Sequence, residues 1–162
     1  MLHFPFRKVG TFLVLLALSA NSGKALAEEG SKWLLQTSLY THHFSYNPEH
    51  NDHQRLINLE YQRPDRWVFG AASFDSSFDQ PSQYVYLGML WRPFESEPLV
   101  HVKLTGGLIH GYKDEYRDKI PMNGSGIAPA IVPAIGLSGK HVSGEIVLFG
   151  TAGVMATLGV LF

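Results

Sequence analysis

The sequence predicts an all-β protein, an eight-stranded antiparallel transmembrane β-barrel. Three observations predict it. Residues 1–27 read as a secretory signal. Eight short strand-like runs follow, and no apolar stretch is long enough for a helical span. The chain then closes on an alternating segment that ends in an aromatic, Leu158-Gly159-Val160-Leu161-Phe162.

In chain order the leader comes first. Arg7 and Lys8 give it a basic start, 11–20 (TFLVLLALSA) an apolar centre, and Ala25-Leu26-Ala27 a small-residue cleavage site. The apolar run falls short of the ~20 residues a helical span needs, which argues against a membrane anchor. Cleavage after Ala27 leaves 28–162 as a single outer-membrane β-barrel domain. It removes three of the 13 basic residues and none of the 14 acidic ones. The net negative remainder carries no footprint of nucleic-acid binding. Cysteine is absent, so there is no disulfide, no thiol nucleophile and no lipoprotein acylation site.

The predicted strands are 33–43, 55–63, 67–74, 83–91, 99–111, 127–138, 141–149 and 153–162. In 55–63, Ile57, Leu59 and Tyr61 alternate with Asn58, Glu60 and Gln62. In 99–111, Val100, Val102, Leu104 and Leu108 alternate with His101, Lys103 and Thr105. Along 153–162, Val154, Ala156, Leu158, Val160 and Phe162 share one face, with Met155, Gly159 and Leu161 on the other. Apolar outside and polar inside is the membrane-barrel pattern, and a soluble lipocalin-type barrel is the competing reading. A barrel of eight strands has an interior just filled by side chains, so function belongs to its mouth or its packed lumen. On its outer half that lumen is expected to be mostly apolar, wide enough for an acyl tail.

The connections alternate in length. Segments 44–54, 75–82 and 112–126 are long and polar; Pro64-Asp65-Arg66 and the two-residue turn Gly139-Lys140 are tight. Segment 150–152 is short although it falls on the long-loop side. Both termini then lie on the short-turn rim. Strand 127–138 departs from the rule by carrying Pro129 and Pro133. Proline gives no donor to a ladder, so the neighbouring strand is expected to keep unmet acceptors. Either the barrel wall opens there, giving lipid lateral access, or the prolines sit at an end or a bulge.

Several segments, in order, resemble one family. Thr41-His42-His43-Phe44-Ser45-Tyr46 leads into a polar first loop. Phe74-Asp75-Ser76-Ser77-Phe78 follows the third strand, with Pro81 just beyond. Trp91-Arg92-Pro93 ends the fourth, and a proline-broken sixth strand and a terminal Phe follow. This order is similar to that of the PagP family of lipid A palmitoyltransferases. The resemblance implies an enzyme that moves a palmitoyl chain from a phospholipid donor to lipid A in the outer leaflet. It implies an outer-membrane monomer without metal or other cofactor.

The family's catalytic His falls on His43 or His42, and its Asp and Ser fall on Asp75 and on Ser76 or Ser77. Parity against Phe44 selects His43, while the polar series Gln36, Ser38, Tyr40 projects to His42. Physically the set suits acyl transfer. A neutral imidazole takes a proton from the attacking hydroxyl, and a carboxylate orients the ring. Arg55, Lys113, Arg117 and Lys119 flank the same rim and suit lipid phosphates. The family's amphipathic helix before the first strand has no counterpart in Glu28–Lys32.

Alternatives of other classes remain at this point. His141-x-Ser143-x-Glu145 offers the residue types of a lipid A deacylase. A non-catalytic small barrel needs no site at all. His50-Asn51-Asp52-His53 has ligand types at short spacing, but no further ligand pattern supports a metal.

Overall fold

A computed structural model describes residues 30–44, 54–76, 79–111, 122–124 and 126–162. It forms a closed antiparallel barrel of eight strands, each paired with its neighbours in sequence. They are β1 (Lys32–His43), β2 (Ile57–Gln62), β3 (Trp67–Asp75), β4 (Pro81–Trp91), β5 (Val100–His110), β6 (Ile127–Ser138), β7 (Val142–Leu148) and β8 (Gly153–Leu161). All eight predicted runs are present. The leader, His50–His53, Ser77 and the basic residues Lys113, Arg117 and Lys119 lie outside the described residues.

Alternation explains the wall. Ile57, Leu59, Val85, Leu87, Leu104, Leu108, Leu158 and Val160 point outward and are exposed, while the residues between them turn into the lumen. Exposed apolar side chains therefore occur on strands all round the barrel, a surface compatible with a hydrocarbon surrounding. Trp33 packs on Tyr61 with ring centroids 4.9 Å apart, and Trp67 stacks on Phe69 at 6.3 Å. These rings gather at the rim that holds the termini, where a membrane barrel carries an aromatic girdle.

Closure uses the last residue. Trp33 N donates to Phe162 O at 2.7 Å, and Phe162 N donates back to Trp33 O at 2.9 Å. The turn after β2 is a three-residue loop whose last member, Arg66, takes a left-handed φ of 74°. The turn after β6 differs by one residue from expectation. Gly139 N donates to Val142 O, so Lys140 and His141 form the two-residue loop. The register Ser138↔Ser143 fixes this, because Gly139 then faces Val142 as a paired position.

The lumen has three levels. Next to the terminal rim lie buried Leu34, Val68, Leu90 and Leu161. An ionic network fills the middle. Lys103 Nζ donates to Glu60 Oε2 and Glu145 Oε1, both at 2.9 Å. Tyr86 donates to Glu60 and Asn58, and Gln36 joins Asn58 to Glu145 and Thr157. Toward the long loops the lumen turns apolar. Ala72, Tyr84 and Tyr86 pack there with Leu56, Phe74, Ile109, Ala130 and Val132. Met155, Gly159 and Leu161 line the inner face of β8, as their alternation requires.

Candidate functional site

The long-loop rim is built by the upper ends of β1, β3 and β6. On β1 the register against β8 slips between Ser38 and Tyr40. This bulge places Leu39 and Tyr40 together on the outside, 58% and 53% exposed. The inward series becomes Leu34, Gln36, Ser38, Thr41 and His43. Tyr40 therefore does not belong to the lumen set, and the projection from it to His42 fails. His43 is half-buried on the inner face. His42 is exposed on the outer face, edge-on to Phe44 with ring centroids 6.2 Å apart.

At the end of β3 the chain folds Asp75 and Ser76 into a tight turn. Asp75 N donates to Gln54 O at 2.8 Å, and the Asp75 carboxylate lies 3.6 Å from Arg55 Nε. Ser76 is fully buried. Its backbone N–H donates to Gln80 O at 2.8 Å, and its Oγ accepts the Gln80 N–H at 3.2 Å. Asp79, at a φ of 56°, donates its N–H to Ser76 O. Ser76 Oγ thus already serves as a turn acceptor.

Asp75, Ser76 and Arg55 are brought together; His43 is not brought to them. Following the ladders, Asp75 stands level with Arg55 and with the bulge of β1, and His43 lies further up its own strand. Strand spacing and rise put His43 and Asp75 roughly 15 Å apart at Cα, beyond hydrogen-bond reach. The carboxylate's partner among the described residues is Arg55, not an imidazole.

Among the described residues, two of the ladders stop short of this rim. Among the described residues the β1–β2 ladder stops at Thr37↔Ile57, while β1 runs on to His43. Ser38 Oγ accepts the Leu56 N–H just above, and a cavity of ≈ 380 Å³ lies against 37–40 and 55–57. The second break lies between β6 and β7. That ladder spans only Ala134–Ser138 of β6, so Ala128–Pro133 lie beyond its end.

The prolines account for the second edge. Ser138 N donates to Leu99 O, so even-numbered residues of β6 turn their N–H toward β5. By the two-residue period Pro129 and Pro133 turn their nitrogens toward β7. The β5–β6 register is uninterrupted from Val100↔Leu137 to His110↔Ile127. The expected unmet acceptors on a neighbouring strand are therefore absent on β5: the missing donors face the unpaired edge, where no ladder needs them.

Inside, Thr41 Oγ1 is a buried hydroxyl near the mouth with no hydrogen-bond partner among the described residues. Leaving it unmet costs about 1–3 kcal/mol, and a ligand group can relieve that. Lower down, a constellation missed by sequence reasoning links three strands. His101 Nε2 lies 2.9 Å from Glu145 Oε1, and His101 Nδ1 lies 3.2 Å from Ser138 Oγ. Only the inward alternation of His101 and Lys103 hinted at it. The motif His141-x-Ser143-x-Glu145 does not assemble. His141 sits exposed in the turn, while Ser143 and Glu145 point into the lumen. Glu145 takes its imidazole partner from β5 instead.

Comparison with protein-family models finds no match, and no curated protein matches the sequence.

Proposed function

We propose that this barrel is an outer-membrane acyltransferase that moves a long fatty-acyl chain, palmitoyl by the family resemblance, from a phospholipid to lipid A. The observation that carries the reading is the pair of breaks in the wall, β1–β2 and β6–β7, at the rim where the lumen is apolar. A tail can pass sideways from the bilayer through such a break. It gains about 0.8 kcal/mol for each CH₂ it buries. The ionic layer of Glu60, Lys103 and Glu145 closes the lumen beneath it and stops the tail.

In this reading His43 is the general base. It accepts the proton of a lipid A hydroxyl as that oxygen attacks the donor's ester carbonyl carbon. The ester bond breaks, and the leaving lysophospholipid oxygen takes the proton back from His43. Asp75, paired with Arg55, and Ser76 lie two strands along the rim from His43. They engage the substrate rather than the imidazole, since the carboxylate is out of reach of His43. Thr41 Oγ1 offers a donor to a group entering the lumen. Ser77, Lys113, Arg117 and Lys119 belong to the same rim by sequence.

The test is transfer by the folded barrel in mixed micelles of labelled phospholipid and lipid A. Label in lipid A with release of lysophospholipid supports acyl transfer. Release of free fatty acid alone selects a hydrolase. No turnover selects a non-catalytic barrel, which the filled ionic lumen would also suit.

A further inference from the structure

At the opposite end of the barrel, the terminal rim encloses a second and larger cavity of ≈ 630 Å³. That volume lies within the usual range of small-molecule pockets, about 300–1,000 Å³. Four cations line it: Lys32, Arg63, Arg66 and Arg92. Among the described residues no carboxylate lines it. Its floor is apolar, made by the buried side chains of Val68, Leu90 and Leu161.

Arg63 and Arg92 are anchored by side-chain hydrogen bonds and Arg66 through its backbone. Arg92 Nη1 donates to Pro98 O at 2.9 Å and to Ser138 Oγ at 3.2 Å. Arg66 has a left-handed backbone, and its carbonyl accepts the Leu90 N–H at 2.9 Å. That bond pins the base of the Arg66 side chain to the strand that supplies the floor. Arg63 is engaged by Asp65 at 2.6 Å. The Arg66 guanidinium has no ion-pair partner among the described residues. An anion entering the hollow meets the Arg66 guanidinium beside the other cations. Guanidinium groups match phosphate oxygens in charge and in fork geometry.

We propose that this cavity binds a phosphate-bearing amphiphile, with the phosphate among Lys32, Arg66 and Arg92 and the apolar part against Val68, Leu90 and Leu161. The site is separate from the candidate acyl-transfer site and does not depend on it. The same cations would attract inorganic phosphate, so the experiment must separate the two sources. Calorimetric titration of the folded barrel in a phosphate-free zwitterionic detergent does so, with dihexanoyl phosphatidic acid, inorganic phosphate and dihexanoylglycerol as probes. Saturable binding of the phosphatidic acid is expected, at least tenfold tighter than either other probe. Arg66→Gln and Lys32→Gln, both checked for folding by heat-modifiable migration, should each weaken it at least tenfold. Equal binding of inorganic phosphate would overturn the amphiphile, and equal binding of the diglyceride would overturn the phosphate. Parent affinity in both folded variants, or no saturable binding, would overturn the site.

Discussion

Gly70 lies directly beneath the Tyr86 phenol, so that a β-carbon there would overlap the ring. That contact holds Tyr86 where its hydroxyl donates to Glu60 and Asn58. Gly70→Ala should therefore destabilise the barrel by about 1–3 kcal/mol, as overpacking does, read from the urea midpoint of refolding into micelles. Lys103 carries more. It is the cation between two buried carboxylates, Glu60 and Glu145. Lys103→Met should cost about 3–5 kcal/mol by leaving Glu60 and Glu145 without the cation they share, and adding Glu60→Gln and Glu145→Gln should recover most of it. A single substitution as mild as a surface change would show that the network is not load-sharing. The inward placement of Glu60, His101 and Lys103 is legible from alternation. Their pairing is not, because it joins strands that are distant in sequence across a closed lumen.

At the scale of strands, the unpaired edge of β6 makes a specific demand. Pro129 and Pro133 point their nitrogens at a side with no ladder, so replacing them adds donors that nothing accepts. Pro129→Ala with Pro133→Ala should lower thermal stability, although proline ordinarily weakens a strand. A higher unfolding temperature would show that the edge is paired. The prolines announced this feature in the sequence but left open whether it was a gap or a strand end, since that depends on how far β7 extends. The bulge in β1 left no mark. An extra residue inside an apolar-polar alternation looks like continued alternation until the partner strand is known. That is why His43 and His42 could not be separated by parity, and why Tyr40 was misplaced. The turn after β6 differs by one residue because its position is set by the register Ser138↔Ser143, which strand alternation alone does not give.

As a whole the molecule is a closed barrel with an apolar exterior, and closure runs through its last residue. Phe162 exchanges two backbone hydrogen bonds with Trp33 and presents its ring outward. Deleting Phe162 should lower the yield of heat-modifiable folded barrel without changing synthesis; unchanged yield would remove the residue from assembly. The fold was readable because a closed antiparallel barrel repeats one simple alternation in every strand. The site was readable only in part. Its residues lie at strand ends and in long loops, where no periodicity constrains them, and Asp75 proves to be held by Arg55 rather than by a histidine. Acyl transfer at the long-loop rim would be read by mass spectrometry of lipid A. Cells expressing the parent barrel, a His43→Ala variant of equal folded abundance, and no barrel would be compared. Acyl transfer by His43 predicts lipid A carrying one additional long acyl chain with the parent, and its loss with His43→Ala and without the barrel. Identical lipid A in all three would contradict it.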